Sequence, residues 1–258
     1  MIELDTIYNE DCLEGMKRIP DGSVDMVLCD LPYGTTANAW DVRIPFEPLW
    51  EHYKRVCKHN AAILLFAQMP FGSDLIQSNR KMFRYEWVWE KTLASGFLNA
   101  KRMPMRLHEL IFVFYRRLPT YNPQRYDAKQ IKKGPRNFKA AESNYGKIGP
   151  HVFNDDGKRY PKDVLHFKSP NSKFAQKGVP NTLHPTQKPV ALCEYLVKTY
   201  TNEGETVLDN CMGSGTTAIA CINANRRFIG FETDSRYWQL SQERIAQALE
   251  ARAAGGQP

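Results

Sequence analysis

Two periods alternate along this chain, one of two residues and one near 3.6, and together they sketch a row of short strands separated by helices. Residues 2–8 (Ile-Glu-Leu-Asp-Thr-Ile-Tyr) alternate apolar and polar, as a half-buried strand does. Asp11 then stands as a cap before a short helix over 12–19, and Pro20-Asp21-Gly22-Ser23 is a turn. The apolar run 24–29 predicts a buried strand, and it ends on Asp30-Leu31-Pro32-Tyr33-Gly34. Residues 47–58 carry Leu49, Trp50, Tyr53 and Val56 at helical spacing. Residues 61–66 read as a buried strand, 71–79 as a helix, and 85–89 and 109–115 as aromatic and β-branched strands. Order resumes near Leu183: a helix over 190–200, a strand over 205–209, a glycine loop over 210–217, a helix over 218–225, a strand over 227–232 and a long helix from Asp234 to about Ala251.

Between Arg116 and Thr182 neither period holds, and Pro, Gly, Asn and Lys dominate. A stretch that long without periodicity inside a compact domain points to a functional insertion. Charge sharpens this. From Asn99 to Thr182 the chain has 18 Lys and Arg against 6 Asp and Glu, whereas the rest has 17 against 22. Basicity confined to one segment, interleaved with Tyr121, Tyr126, Phe138, Tyr145, Phe153, Tyr160, Phe167 and Phe174, suits phosphate contacts and base stacking. A solvated lysine-rich loop, or a small lid with its own minor core, is the alternative.

Length and composition bound the rest. The 258 residues can bury a sizeable core, and 42% hydrophobic with 24% charged residues is ordinary for a globular chain. No apolar run approaches the roughly 20 residues of a membrane span. The acidic start Met1-Ile2-Glu3-Leu4-Asp5 lacks the build of a secretory signal, so a cytoplasmic location is expected. The six cysteines are scattered without a C-x-x-C pair, which argues against zinc or a disulfide framework and for reduced thiols.

Two stretches carry candidate chemistry. The first is the strand ending in Asp30-Leu31-Pro32-Tyr33: an acceptor carboxylate, carbonyls directed by a proline, and a flat ring, at the strand edge where open α/β sheets bind ligands. A Pro-Gly turn with a capping Asp is the plainer reading. The second is a strand ending at Asp209, the loop Gly213-Ser214-Gly215-Thr216-Thr217, a helix, and a strand ending in Glu232. Glycines that permit close backbone approach, free N–H groups at a helix start, and an acid placed for ribose hydroxyls make a nucleoside site. The third glycine of the dinucleotide fingerprint and the Gly-Lys-Ser/Thr of a P-loop are both missing, so a nucleoside without pyrophosphate fits better than NAD or ATP.

These motifs resemble one family, the β group of amino DNA methyltransferases. Asp30-Leu31-Pro32-Tyr33 is similar to its Asp-Pro-Pro-Tyr catalytic motif, Asp209 to Thr217 to its cofactor loop, and His184-Pro185-Thr186-Gln187-Lys188-Pro189 to its His-Pro-Thr-Gln-Lys-Pro signature. Leu31 stands where the family has proline, and Asn210-Cys211 where it has Pro-Phe. The resemblance implies a circularly permuted, Rossmann-like class I methyltransferase fold (α/β) with a mixed seven-stranded sheet. Residues 1–115 would form the catalytic half, 116–182 a target-recognition insertion and 183–258 the cofactor-binding half.

It further implies that S-adenosylmethionine is the cofactor and that a methyl group passes to N6 of an adenine flipped out of double-stranded DNA. Asp30, Leu31, Pro32 and Tyr33 would be catalytic, with the base stacked on Tyr33. The cofactor would be held by Asp11 (adenine), Glu232 (ribose), Gly213 and Gly215 (methionine chain), and Thr186 and Lys188 (carboxylate), with Asp30, Asp209, Ser214, Thr216 and Thr217 in the same site. Lys101, Arg102, Arg116, Arg117, Lys132, Lys133 and Arg136 are the expected DNA contacts, and the loop 95–102 a wall of the base pocket. A homodimer and a cognate restriction endonuclease are candidate partners. Methylation of cytosine N4, RNA as the substrate, and a catalytically silent nucleic-acid-binding module on the same scaffold are the rival readings. A nicotinamide-dependent oxidoreductase would require the missing third glycine.

Overall fold

Residues 24–29 and 57–67 send alternate side chains to opposite faces of one sheet, and that alternation builds two cores. Met26, Leu28, Ala62, Leu64 and Phe66 join one apolar cluster; Val27, Cys29, Ile63, Leu65 and Ala67 join the other. Burying each large aliphatic side chain contributes roughly 2 kcal/mol over leaving it in water. The computed structural model describes residues 2–36, 38, 41–130, 134–144, 146–170 and 187–255.

In chain order the elements are β1 (Thr6–Tyr8), α1 (Cys12–Met16), β2 (Val24–Cys29), α2 (Phe46–Val56), β3 (Cys57–Ala67), α3 (Phe71–Ser78), β4 (Phe83–Ser95) and β5 (Arg106–Phe114). Six short strands follow: β6 (Tyr126–Asp127), β7 (Arg136–Phe138), β8 (Ala141–Ser143), β9 (Gly146–Ile148), β10 (His151–Phe153) and β11 (Lys158–Arg159). The chain finishes with β12 (Val164–His166), α4 (Val190–Tyr200), β13 (Thr206–Asp209), α5 (Thr216–Asn223), β14 (Arg227–Phe231) and α6 (Ser235–Ala253).

The chain divides into two compact units, Met1–Asn122 with Asp163–Pro258, and Pro123–Lys162. In the larger unit the strands form one sheet of eight among the described residues, in the order β1-β14-β13-β2-β3-β5-β4-β12. Neighbours run parallel except β5, which is antiparallel to both β3 and β4. α1, α2 and α3 cover one face; α4, α5 and α6 cover the other. The sheet has the expected mixed character, and the strands from the two ends of the chain alternate within it, β14 and β13 lying between β1 and β2. The expectation of seven strands needs correction: Val164–His166 pairs with Val88–Glu90 and makes an eighth, edge strand.

That strand also moves the insertion's boundaries inward from 116–182. Asp163 already bonds to Val88, and Asn122 bonds to the end of α4 through the Thr199 carbonyl. Local ends shift too. α2 stops at Val56, because Cys57 turns extended and opens β3 at once. α1 stops at Met16, and residues 17–19 continue it with bonds three residues back.

The smaller unit is a nested stack of antiparallel pairs, β6 with β11, β7 with β10, and β8 with β9. Its charges are partly spent internally. Arg125 pairs with Asp156, Lys158 with Asp127 and Arg159 with Asp155. Arg136 lies over the Phe153 ring, and Phe138 stacks on His151. These ring contacts lie at the surface: Phe138 and Phe153 are both exposed.

Candidate active site

β2 and β13 are neighbours with Val207 opposite Met26 and Leu208 opposite Val27, so Asp30 and Asp209 emerge at the same carboxyl edge. A cavity of about 870 Å³ opens along that edge. It is lined by Asp11, Asp30, Leu31, Pro32, Tyr33, Lys188, Asp209, Gly213, Ser214, Thr216, Thr217 and Glu232, all expected from the sequence. Gly215 lies within the same loop. Its φ of 82° is left-handed, and a Cβ there would stand 3.1 Å from the Ser241 Cβ on α6, so glycine is needed for both conformation and space.

In the glycine-loop half the two carboxylates accept from neutral donors. Asp209 accepts from the Cys211 N–H at 3.0 Å and from the Thr217 hydroxyl at 2.6 Å. Burial pushes its carboxyl up from 3.8 to about 6, against those two bonds. Glu232 accepts from the Gly213 and Asp234 N–H groups, each at 2.8 Å, and burial raises it as well. Asp11 caps α1 through the Leu13 and Glu14 N–H groups while also lining the cavity. Arg244 of α6 donates to the Ser214 hydroxyl and carbonyl. Where the family has Pro-Phe, Asn210 is buried and accepts the Tyr53 hydroxyl at 2.5 Å.

The Asp30 corner is held instead by ammonium groups. Lys188 donates to Asp30 at 2.5 Å and lies 3.4 Å from Glu109, while Lys91 reaches the other oxygen of Glu109 at 3.3 Å. The Tyr33 hydroxyl donates to the second Asp30 oxygen at 2.9 Å, and its ring stacks on Phe71. Burial raises Asp30 from its usual value, Lys188 pulls it down, and the Glu109 carboxylate adds to the rise. Glu109 itself ends below the usual carboxylate value: burial would lift it, but Lys188 and Lys91 outweigh that. Burial also opposes the charge of Lys188, yet Asp30 and Glu109 raise it, so the ammonium persists.

Glu109 and Lys91 were not among the expected site residues, although both flank the loop expected to wall the pocket. Lys188, expected at the cofactor carboxylate, lines the cavity and faces Asp30 and Glu109, the extended Pro189 leading from it into α4. Arg116 also needs correction. It donates to the Cys57 and Lys58 carbonyls at the start of β3, the sheet edge opposite the cavity, and Arg117 follows it there. Lys101 and Arg102 are exposed on the β4–β5 connection, and Arg136 belongs to the smaller unit. Thr186, Lys132 and Lys133 lie outside the described residues.

Glu232 and the glycine loop on the cavity wall suit a nucleoside. A cavity of about 870 Å³ has room for more than a cofactor alone. Each Glu232 oxygen keeps a lone pair for a ribose hydroxyl. The DNA methylase family matches residues 24–243, most of the chain. The chain belongs to that family and is a DNA methyltransferase, with S-adenosylmethionine the cofactor of its class.

The DNA adenine methyltransferase YhdJ of Escherichia coli (strain K12) is 29% identical over 260 residues, covering 94% of this chain and 83% of YhdJ. The crystal structure of the M1.HpyAVI–SAM complex superposes with a TM-score of 0.61 at 23% identity, over 93% of this chain and 98% of the other. The cytosine-N4-specific PvuII DNA methyltransferase superposes at 0.63 with 15% identity, over 97% and 93%. At such identities these two structures speak to the fold alone.

Proposed function

We propose that this chain methylates N6 of an adenine flipped out of double-stranded DNA, and that the residues gathered at the β2–β13 edge perform the transfer. The observation that carries the reading is the Asp30 carboxylate at the cavity wall, adjoining the glycine loop and fixed by Lys188 and Tyr33. S-adenosylmethionine, when bound, supplies an electrophilic methyl group on a sulfonium. The amino nitrogen of adenine is a poor nucleophile, because its lone pair is delocalised into the ring. Asp30 and the Leu31 carbonyl accept its two N–H bonds, which draws the nitrogen toward tetrahedral geometry and frees the lone pair for in-line attack. The nitrogen gains the methyl group and releases one proton. Asp30, its basicity raised by burial, is suited to take it.

The target cannot be reached inside a duplex, so it must leave the stack. Phe71 backs one face of the Tyr33 ring, and the flipped base stacks on the side that meets the cavity. Lys188 serves as the counter-ion of Asp30. Lys101, Arg102 and Arg136 contact phosphates, which accords with the concentration of positive charge in that stretch of sequence. The choice of adenine rests on aspartate at the first position of the catalytic motif and on the similarity to YhdJ. Acting on cellular DNA, the enzyme would work in the cytoplasm.

The test is to incubate unmethylated duplex DNA with labelled S-adenosylmethionine, digest it to nucleosides and identify the product by mass spectrometry. N6-methyladenine is expected. N4-methylcytosine would overturn the choice of base, and an unlabelled duplex with bound cofactor would overturn DNA as the substrate.

A further inference from the structure

The β4–β5 hairpin ends in a surface that the transfer chemistry does not use. Phe97 and Leu98 are 77% and 96% exposed, and Leu93, Met103, Met105 and Leu107 are exposed beside them. Scattered apolar residues on a surface need no explanation, but six on one hairpin mark a contact surface. Lys101, Arg102 and Arg106 share the hairpin, and the sequence has no carboxylate between Lys91 and Glu109.

The tip is built to present these side chains. The ladder between β4 and β5 shifts register between Glu90 and Ser95, and Gly96 turns the chain at a φ of 90°. Phe97–Asn99 form a short 3-10 turn. The Asn99, Ala100, Arg102 and Met103 N–H groups all find carbonyls within the tip at 2.8–3.0 Å. With its backbone satisfied locally, the tip holds Phe97 and Leu98 outward without support from the core. Its base belongs to the active site: Leu93, Ala94 and Ser95 line the cavity that also contains Asp30.

We propose that Phe97 and Leu98 form an apolar wedge that enters duplex DNA beside the target base and occupies the space it leaves, with Lys101, Arg102 and Arg106 on the flanking phosphates. The proposal rests on the reading of the chain as a methyltransferase acting on a flipped base. Apolar side chains replace lost stacking at an opened base step, and cations in a stretch of sequence without carboxylates match the polyanion around it. A second copy of this chain is the poorer occupant. A two-fold interface would bring the same patch against itself and oppose three cations to three cations.

The exposed tip can be altered without touching the core, so the test uses the full-length F97A/L98A protein. The methylated motif is first located by sequencing DNA from a methylation-free host that expresses the wild type. Two short duplexes carrying that motif are then compared, one fully paired and one with an abasic site opposite the target base, which is already half released. Relative to wild type, the variant is expected to lose about tenfold or more in kcat/KM on the paired duplex and less than about threefold on the abasic one. 2-Aminopurine at the target position should lose its fluorescence rise with the variant. Equal losses on the two duplexes, or no loss on either, would overturn the wedge. So would a fall in sedimenting mass with the ratio of rates unchanged, which would make the patch an interface between copies. A wild type that methylates neither duplex overturns the underlying reading instead, and does so before any variant is compared.

Discussion

The two halves of the cavity satisfy their buried carboxylates by different means. Asp209 and Glu232 are held by backbone N–H groups and one hydroxyl, all neutral and all within or next to the glycine loop. Asp30 and Glu109 are held by Lys188 and Lys91. Neutral donors fix a shape but leave burial free to lift a carboxyl, so Asp209 reaches about 6. An ammonium resists that lift: Glu109, between two of them, ends below its ordinary value, while Asp30, with one ammonium and the Glu109 charge beside it, still ends above its own. One half is organised to hold a loop against a ligand. The other shares two ammonium groups between two carboxylates.

The strongest break in this comparison removes Asp30. The Asp30→Ala variant is expected to lose at least about 10³-fold in methyl transfer, while calorimetry finds cofactor affinity within about threefold of wild type. Collapse of cofactor binding would place Asp30 in the neutral-donor half instead.

Lys188→Met comes next. Without the ammonium Asp30 is no longer pulled down, so the acid limb of the pH–rate profile should move to higher pH, with about a 10²-fold loss in kcat/KM. Weakened cofactor binding with an unmoved acid limb would return Lys188 to the cofactor carboxylate. Glu109→Gln should shift the same limb the other way, to lower pH, because the Glu109 charge is one of the causes raising Asp30. A loss of about tenfold in rate is expected, since the Gln side chain no longer shares Lys188 with Asp30. Movement of both variants in one direction would refute the shared-ammonium picture.

The smallest effect concerns stability. Asp209 takes its proton more readily folded than unfolded, so between about pH 4 and about pH 6 the native state binds more protons. That contribution therefore falls as pH rises through the window, by about 3 kcal/mol in all. Urea unfolding of Asp209→Asn against wild type should show a difference that changes across that window. Parallel pH dependences would mean that the neutral donors hold Asp209 at its ordinary value.

The order of β2, β13 and β14 and the residues at their carboxyl ends were legible because parallel strands announce themselves: an apolar run, then an acid, then a turn. Glu109 was not, for a geometric reason. β5 runs antiparallel between β3 and β4, so the carboxyl edge of the sheet meets its beginning, and Glu109 precedes the apolar run. Lys91 extends a strand read as ending at Trp89. Arg116 misled in the opposite sense. It follows β5 in sequence next to a basic stretch, yet the same reversal carries it to the far edge, where it bonds the Cys57 carbonyl.

What the sequence determined by itself was local and chemical. The period of each run set strand or helix, and the glycine loop with Glu232 and Asp30-Leu31-Pro32-Tyr33 stood out as two candidate stretches that the fold brings to one cavity. What only the tertiary structure decided was which charges meet. Lys188 stands 158 residues from Asp30 and 79 from Glu109, yet a pair so remote in the chain lies at bonding distance once three strands share an edge. Hydrophobic periodicity specifies which face of an element is buried. It carries no record of strand direction, and direction determines which end of each strand reaches the cavity.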